Sequence, residues 1–147
     1  MAKVRFNSLR DILKIPNYTK IIRATLVVRP LRGSYTPNFA LPPLLRMSST
    51  TIQNQIGYDL AYFVNGSSNP QYGSLELDYL YGENTNYAYD VTNYINLLIS
   101  QPSLSNNGLL MLPPSPAMET AFNRIAVGNR SNALGKIELL IVYAAVK

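Results

Sequence analysis

The sequence predicts an all-β protein: an antiparallel β-sandwich of jelly-roll type, with about eight strands and one short helix near residues 90–100. Three observations carry this. Ten prolines and eight glycines are scattered as punctuation between short apolar runs. Several of those runs alternate apolar and polar residues with a period of two, as a strand with one buried face does. Their spacing is irregular, with long loops and no repeat of fixed period, which favours a jelly roll over an up-and-down barrel. With 147 residues, 47% of them hydrophobic and 14% charged, the chain is sized for a single domain over 1–147 that buries its own core.

The elements follow in order. KVRF is a short alternating segment, and SLRDILKIPN reads as one helical turn, capped by Ser8 and stopped by Pro16. The clearest strand is Lys20 to Pro30, with Ala24, Leu26 and Val28 on one face and Arg23, Thr25, Val27 and Arg29 on the other. A proline-rich loop spans Leu31 to Pro43. LLRMSS and IGYDLAYFV are further strands, NGSSNPQYGS a polar loop, and LELDYLYG and NTNYAYDV strands again. The period then changes. Val91, Tyr94, Ile95 and Leu98 stand at i, i+3, i+4 and i+7, one stripe of a helix that Asp90 is placed to cap and Pro102 ends. After the loop Ser100 to Gly108 come the strand LLML, a turn in PPSPAMET, the segment FNRIAVG, a hairpin connection in VGNRSNALGK, and a last strand, KIELLIVYAAV. Both faces of that last strand are largely apolar, which predicts a central position.

Composition excludes much chemistry. The chain has no cysteine and no histidine, so there is no disulfide, thiol nucleophile, imidazole base or His ligand. No stretch of about 20 apolar residues is present to span a membrane. The net charge is +5, unevenly placed. Residues 1–50 carry nine Lys and Arg and one acid, Asp11, whereas Met47 to Asn123 has no Lys or Arg but six acids: Asp59, Glu76, Asp78, Glu83, Asp90 and Glu119. The two regions are expected to attract each other within the fold. A nucleic-acid face would be denser in basic residues and interleaved with stacking aromatics, so no nucleic-acid partner is expected.

Candidate chemistry lies in the acidic, tyrosine-rich middle. Glu76 and Asp78 would share one strand face, without the spacing of a catalytic carboxylate pair. Glu83, Asn84, Asn86 and Asp90 supply oxygen ligands but not the loop pattern of a helix–loop–helix calcium site, so no metal or other cofactor is expected; Glu83 and Asp90 are the weak metal candidates. Glycines form no phosphate-binding loop. The remaining candidate is a tyrosine strip. Tyr79 and Tyr81 would share one strand face, as would Tyr87 and Tyr89; exposed rings with Asp78 beside them would stack on sugars, whereas tyrosines packed at sheet edges would sit ring in and hydroxyl out.

Three blocks together, VRFNSLRDIL with KIIRATLVVRP, then YAYDVTNYINLLIS with NNGLLMLPP, then NRIAVGN with KIELLIVYAAVK, carry a family likeness. In this order the chain resembles the C-terminal part of the Bacteroidota lipoprotein family classed as domain of unknown function 4270. Lys20 to Val28 stands where that family has an "INKAELVV" strand, Tyr89 to Tyr94 where it has "FDITRY", and Arg124 to Gly128 where it has "RVVLG". Tyr89 replaces Phe and Asn93 replaces Arg. The chain is also similar to jelly-roll modules of secreted bacterial proteins, some of which bind carbohydrate. The resemblance implies a β-sandwich and an extracytoplasmic life at the outer membrane or cell surface. Family members are longer and begin with a lipoprotein signal, whereas MAKVRFNSL has no apolar signal region. The resemblance supplies no catalytic residues. The expected role is a non-enzymatic module of such a lipoprotein, used for protein assembly or ligand contact. The alternatives are a carbohydrate-binding module using the tyrosine strip, and a coat-like structural subunit.

Overall fold

The computed structural model describes residues 2–104, 107–115, 123–128, 132 and 135–145. In chain order its strands are β1 (Ala2–Val4), β2 (Tyr18–Val28), β3 (Leu44–Thr50), β4 (Ile56–Asp59), β5 (Ala61–Val64), β6 (Ser67–Pro70), β7 (Tyr72–Ser74), β8 (Tyr87–Asp90), β9 (Leu109–Leu112) and β10 (Ile137–Ala145). One α-helix, α1 (Thr92–Ser100), and two 3-10 segments, Leu9–Lys14 and Pro102–Leu104, complete the described elements.

All strand pairings are antiparallel. One sheet runs β1-β9-β3-β4, with β7 also on β3; the second runs β10-β2-β8. The two sheets form the expected β-sandwich. Val4, Leu45, Met47, Leu109 and Met111 of the first sheet share one core with Ala24, Leu26, Val28, Tyr87 and Tyr89 of the second. The alternation read in β2 holds: Ala24, Leu26 and Val28 are fully buried, while Arg29 on the opposite face pairs with Glu138. LLML in β9 is buried on both faces, as a continuous apolar run in a central strand requires.

Helix α1 begins at Thr92, two residues later than expected, and buries Val91, Ile95 and Leu98 of the stripe in the core. The N-cap is Val91 rather than the expected Asp90; Asp90, one residue earlier, closes a turn onto the first helical residue, its Oδ1 accepting from Thr92 N at 2.9 Å and from the Thr92 hydroxyl at 2.6 Å. Tyr94 packs on Phe6, with ring centroids 6.2 Å apart.

Four further expectations are corrected. The first segment's turn is a 3-10 helix, and Ser8 makes no side-chain cap bond. NGSSNPQYGS is not a loop but holds the whole of β6 and β7, because Asn65 and Gly66, with φ of 50° and 80°, make the tight hairpin turn that joins β5 to β6. LELDYLYG is not a strand; beyond an isolated bridge at Glu76 the chain turns. Strand β10 is not central: it stands at the end of its sheet, with β2 as its partner. Its apolar outer residues are covered by no third layer among the described residues, and Leu140 and Val142 remain exposed. The turn expected in PPSPAMET and the connection 129–134 fall largely outside the described residues, although Gly128 N does donate to Gly135 O where that connection begins and ends.

Strands β4 and β7 share one edge of β3. β7 lies against Leu44–Arg46 and β4 against Ser48–Thr50. Between them the chain leaves as the β5–β6 hairpin and returns. Leu60 N bonds Met47 O at 2.8 Å, and Gln71 N bonds Leu60 O at 2.7 Å, so exit and re-entry adjoin.

Candidate functional site

The segment between β7 and β8 builds a hydrogen-bonded, solvent-exposed tip. Its base is closed by Glu76 and Asn86, whose backbones exchange hydrogen bonds of 2.9 and 3.0 Å. Inside that closure, one carboxylate organises the turn. Asp78 Oδ1 accepts from the amides of Leu80 and Tyr81 at 3.1 and 3.2 Å, and Oδ2 accepts from those of Glu83 and Asn84, both at 3.2 Å. A short acceptor just before a turn satisfies amides that the turn leaves without partners, which is why Asp favours this position. Gly82, at φ 66°, supplies the left-handed residue that lets the chain fold back to Asp78. The buried Thr85 hydroxyl accepts from Asp78 N at 3.1 Å and from the Tyr35 hydroxyl at 3.3 Å, tying the tip to the Leu31–Pro43 loop. Arg32 pairs with Glu83 across the same gap at 3.2 Å.

The amides of Tyr81 and Asn84, first among the four, hold the Asp78 carboxyl below its ordinary carboxylate range. The lowered value means the clamp is complete at neutral pH and is lost only as pH falls through that range.

The tip presents three consecutive side chains to water. Tyr79 is 90% exposed, Leu80 85% and Tyr81 69%. A leucine held in water forgoes about 1.5–3 kcal/mol of burial. Here a leucine stands in water between two tyrosines, on a backbone whose amides Asp78 holds.

The tyrosine strip expected from the sequence therefore divides. Tyr79 and Tyr81 are exposed, on a turn rather than a strand. Tyr87 and Tyr89 lie 0% and 1% exposed and belong to no ligand-facing strip. Tyr87 donates to Pro42 O at 2.6 Å and Tyr89 to Leu45 O at 3.1 Å. Alternation explains it: β8 turns both rings into the sandwich, and the hydroxyls reach one carbonyl just before β3 and one at its start. Asp78 lies beside the exposed rings, but both its oxygens already accept two amides. Glu83 and Asp90 are not brought together; Glu83 pairs with Arg32 and Asp90 with Thr92. Among the described residues no group of three or more His, Cys, Asp or Glu is placed to hold a metal ion.

The basic and acidic regions do meet, at Arg32–Glu83 and at Arg46–Asp59, 3.6 Å apart. Leu80, Thr85 and Arg32 escaped the sequence reading. The available signal was an Asp followed by Gly82 and Asn84, a turn signature inside a run otherwise rich in strand formers. No helix among the described residues is long and apolar enough to cross a membrane. Compared with known proteins, the chain matches no family model, no curated protein and no solved structure.

Proposed function

We propose that this chain is a non-enzymatic binding module of a bacterial extracytoplasmic lipoprotein, and that it docks a protein partner through the Tyr79–Leu80–Tyr81 tip. The single observation that carries the docking role is the Asp78 clamp, which holds the backbone of the turn that carries three exposed side chains. Preorganisation of this kind lowers the entropy lost on association. Two tyrosines flanking a leucine suit the core of a protein interface, where aromatic anchors dominate. The extracytoplasmic setting rests on the sequence resemblance alone.

A sugar site would need free hydroxyl-bonding groups beside the rings, and the nearest carboxylate is fully engaged. The test is affinity capture from outer-membrane extract with the purified chain, run beside a glycan array. The expected result is a protein retained by the wild type and lost with Tyr79→Ala/Leu80→Ala/Tyr81→Ala, with Asp78→Ala weakening it in the same direction. Selective glycan binding abolished by the same triple variant would replace the protein-docking reading with the carbohydrate one. A captured protein that the triple variant retains equally would remove the tip from the mechanism.

A further inference from the structure

The side of β10 away from β2 carries no further strand among the described residues. Arg29 N donates to Lys136 O at 3.0 Å, which fixes the alternation of the β10–β2 ladder. In an antiparallel pair hydrogen-bonded residues alternate. Glu138, Leu140 and Val142 therefore direct their backbone groups to β2, and Ile137, Leu139 and Ile141 direct their N–H and C=O groups out of the sheet. Those groups have no partner among the described residues.

Native proteins protect such an edge with Lys, Pro or inward-pointing charge. β10 has none of these from Leu139 to Ala145, and its one charged residue, Glu138, is held by Arg29 and Lys136 of the same chain. Register shifts confine the regular ladder to Ile137–Val142. On the outer face Leu140 and Val142 are both more than half exposed. On the inner face, Leu139 and Ile141 line an open apolar groove of about 630 Å³ with Phe6, Leu9, Ile12 and Ile15. An edge with free backbone groups beside an apolar groove is the geometry of strand addition.

We propose that the strand added is β10 of a second copy of this chain, paired antiparallel across a two-fold axis at Leu140. The sequence of β10 is self-complementary in that register. Leu140 meets its own symmetry mate, Leu139 meets Ile141, and Glu138 meets Val142, so no like charges oppose and both exposed apolar residues gain cover. Leu139 and Ile141, whose backbone groups point outward, fall opposite each other and form the new ladder bonds. The two sheets become one, in the order β8-β2-β10 followed by its mirror, and the two apolar grooves adjoin. The self-matching patch is what a closed isologous dimer requires.

The chain has no cysteine, so one introduced thiol reports cleanly. In the proposed register Leu140 lies in a non-hydrogen-bonded pair, where Cα atoms approach to about 4.5 Å, within reach of a disulfide. The full chain carrying Leu140→Cys is expected to become a disulfide dimer under mild oxidation, and Ile22→Cys, at an exposed β2 position outside the pair, is not. Without cysteine, sedimentation equilibrium is expected to show a dimer whose dissociation constant rises about tenfold or more in Leu140→Lys, which opposes two ammonium groups. Circular dichroism of the Lys variant checks that the fold is kept. A wild type that sediments as a monomer at every concentration, or equal cross-linking at positions 22 and 140, would overturn the proposal.

Discussion

Two tyrosine pairs lie eight residues apart and meet opposite fates. Tyr79 and Tyr81 stand in water; Tyr87 and Tyr89 are the largest fully buried side chains of the core. Both pairs are spaced i, i+2. The difference lies in what holds the backbone. At 87–90 it is a ladder to β2, with Val28 opposite Tyr87 and Leu26 opposite Tyr89, and period-two geometry then sends both rings to the same inner face. At 78–84 it is a side chain, Asp78, which replaces the ladder and frees the rings from any sheet face. The same residue type thus serves packing where backbone pairs with backbone, and display where a carboxylate takes over the pairing.

The largest expected contrast is in stability. Tyr89→Ala or Tyr87→Ala should cost about 3–5 kcal/mol, the range for emptying a buried aromatic site. Tyr79→Ala should stay within about 0.5 kcal/mol. Urea denaturation of the three variants checks this, and comparable losses at 79 and 89 would erase the distinction. Next in size is Gly73→Ala. A Cβ there runs into the Tyr89 ring, so the expected cost is about 1–3 kcal/mol from overpacking. A neutral result in a thermal melt would show that Tyr89 has room to move. The smallest contrast is in alkali. Burial pushes the phenols of Tyr87 and Tyr89 above the ordinary tyrosine range, and that of Tyr94 to about 12. The unfolded chain ionises first as pH climbs through the ordinary range, so the folded state loses stability there. Tyr87→Phe/Tyr89→Phe should flatten that alkaline slope in pH-dependent denaturation, and an unchanged slope would overturn this.

The fold class was legible because β2 alternates cleanly and the stripe in α1 changes the period. Both patterns are local, and the core at Leu26, Ile95 and Leu98 follows from them. What was not legible depends on partners distant in sequence. The apolar pattern of β10 fits a central strand and an edge strand equally well; only its pairing decides. Asn65–Gly66 is a strong turn signal, but the polar residues after it conceal β6, which packs on β5 rather than on the core. At the candidate site, Tyr79 and Tyr81 were singled out by residue type, while the part Asp78 plays in the turn was hidden because a carboxylate that accepts amides leaves no periodic trace. Tyr87 and Tyr89 were misplaced for the opposite reason: the carbonyls that satisfy them belong to Pro42 and Leu45, over forty residues away in sequence.

The β5–β6 hairpin has a consequence for how this chain changes over time. Because β4 and β7 flank it on one edge of β3 and its two ends are already hydrogen-bonded to each other, Ala61 to Pro70 hangs from the sandwich like a drawer from its frame. Its length is set by nothing in the two main sheets. Insertions, foreign epitopes or a new pair of chain ends are accommodated there with least disturbance to the rest. Added sequence in this hairpin is expected to leave the register of β3 unchanged.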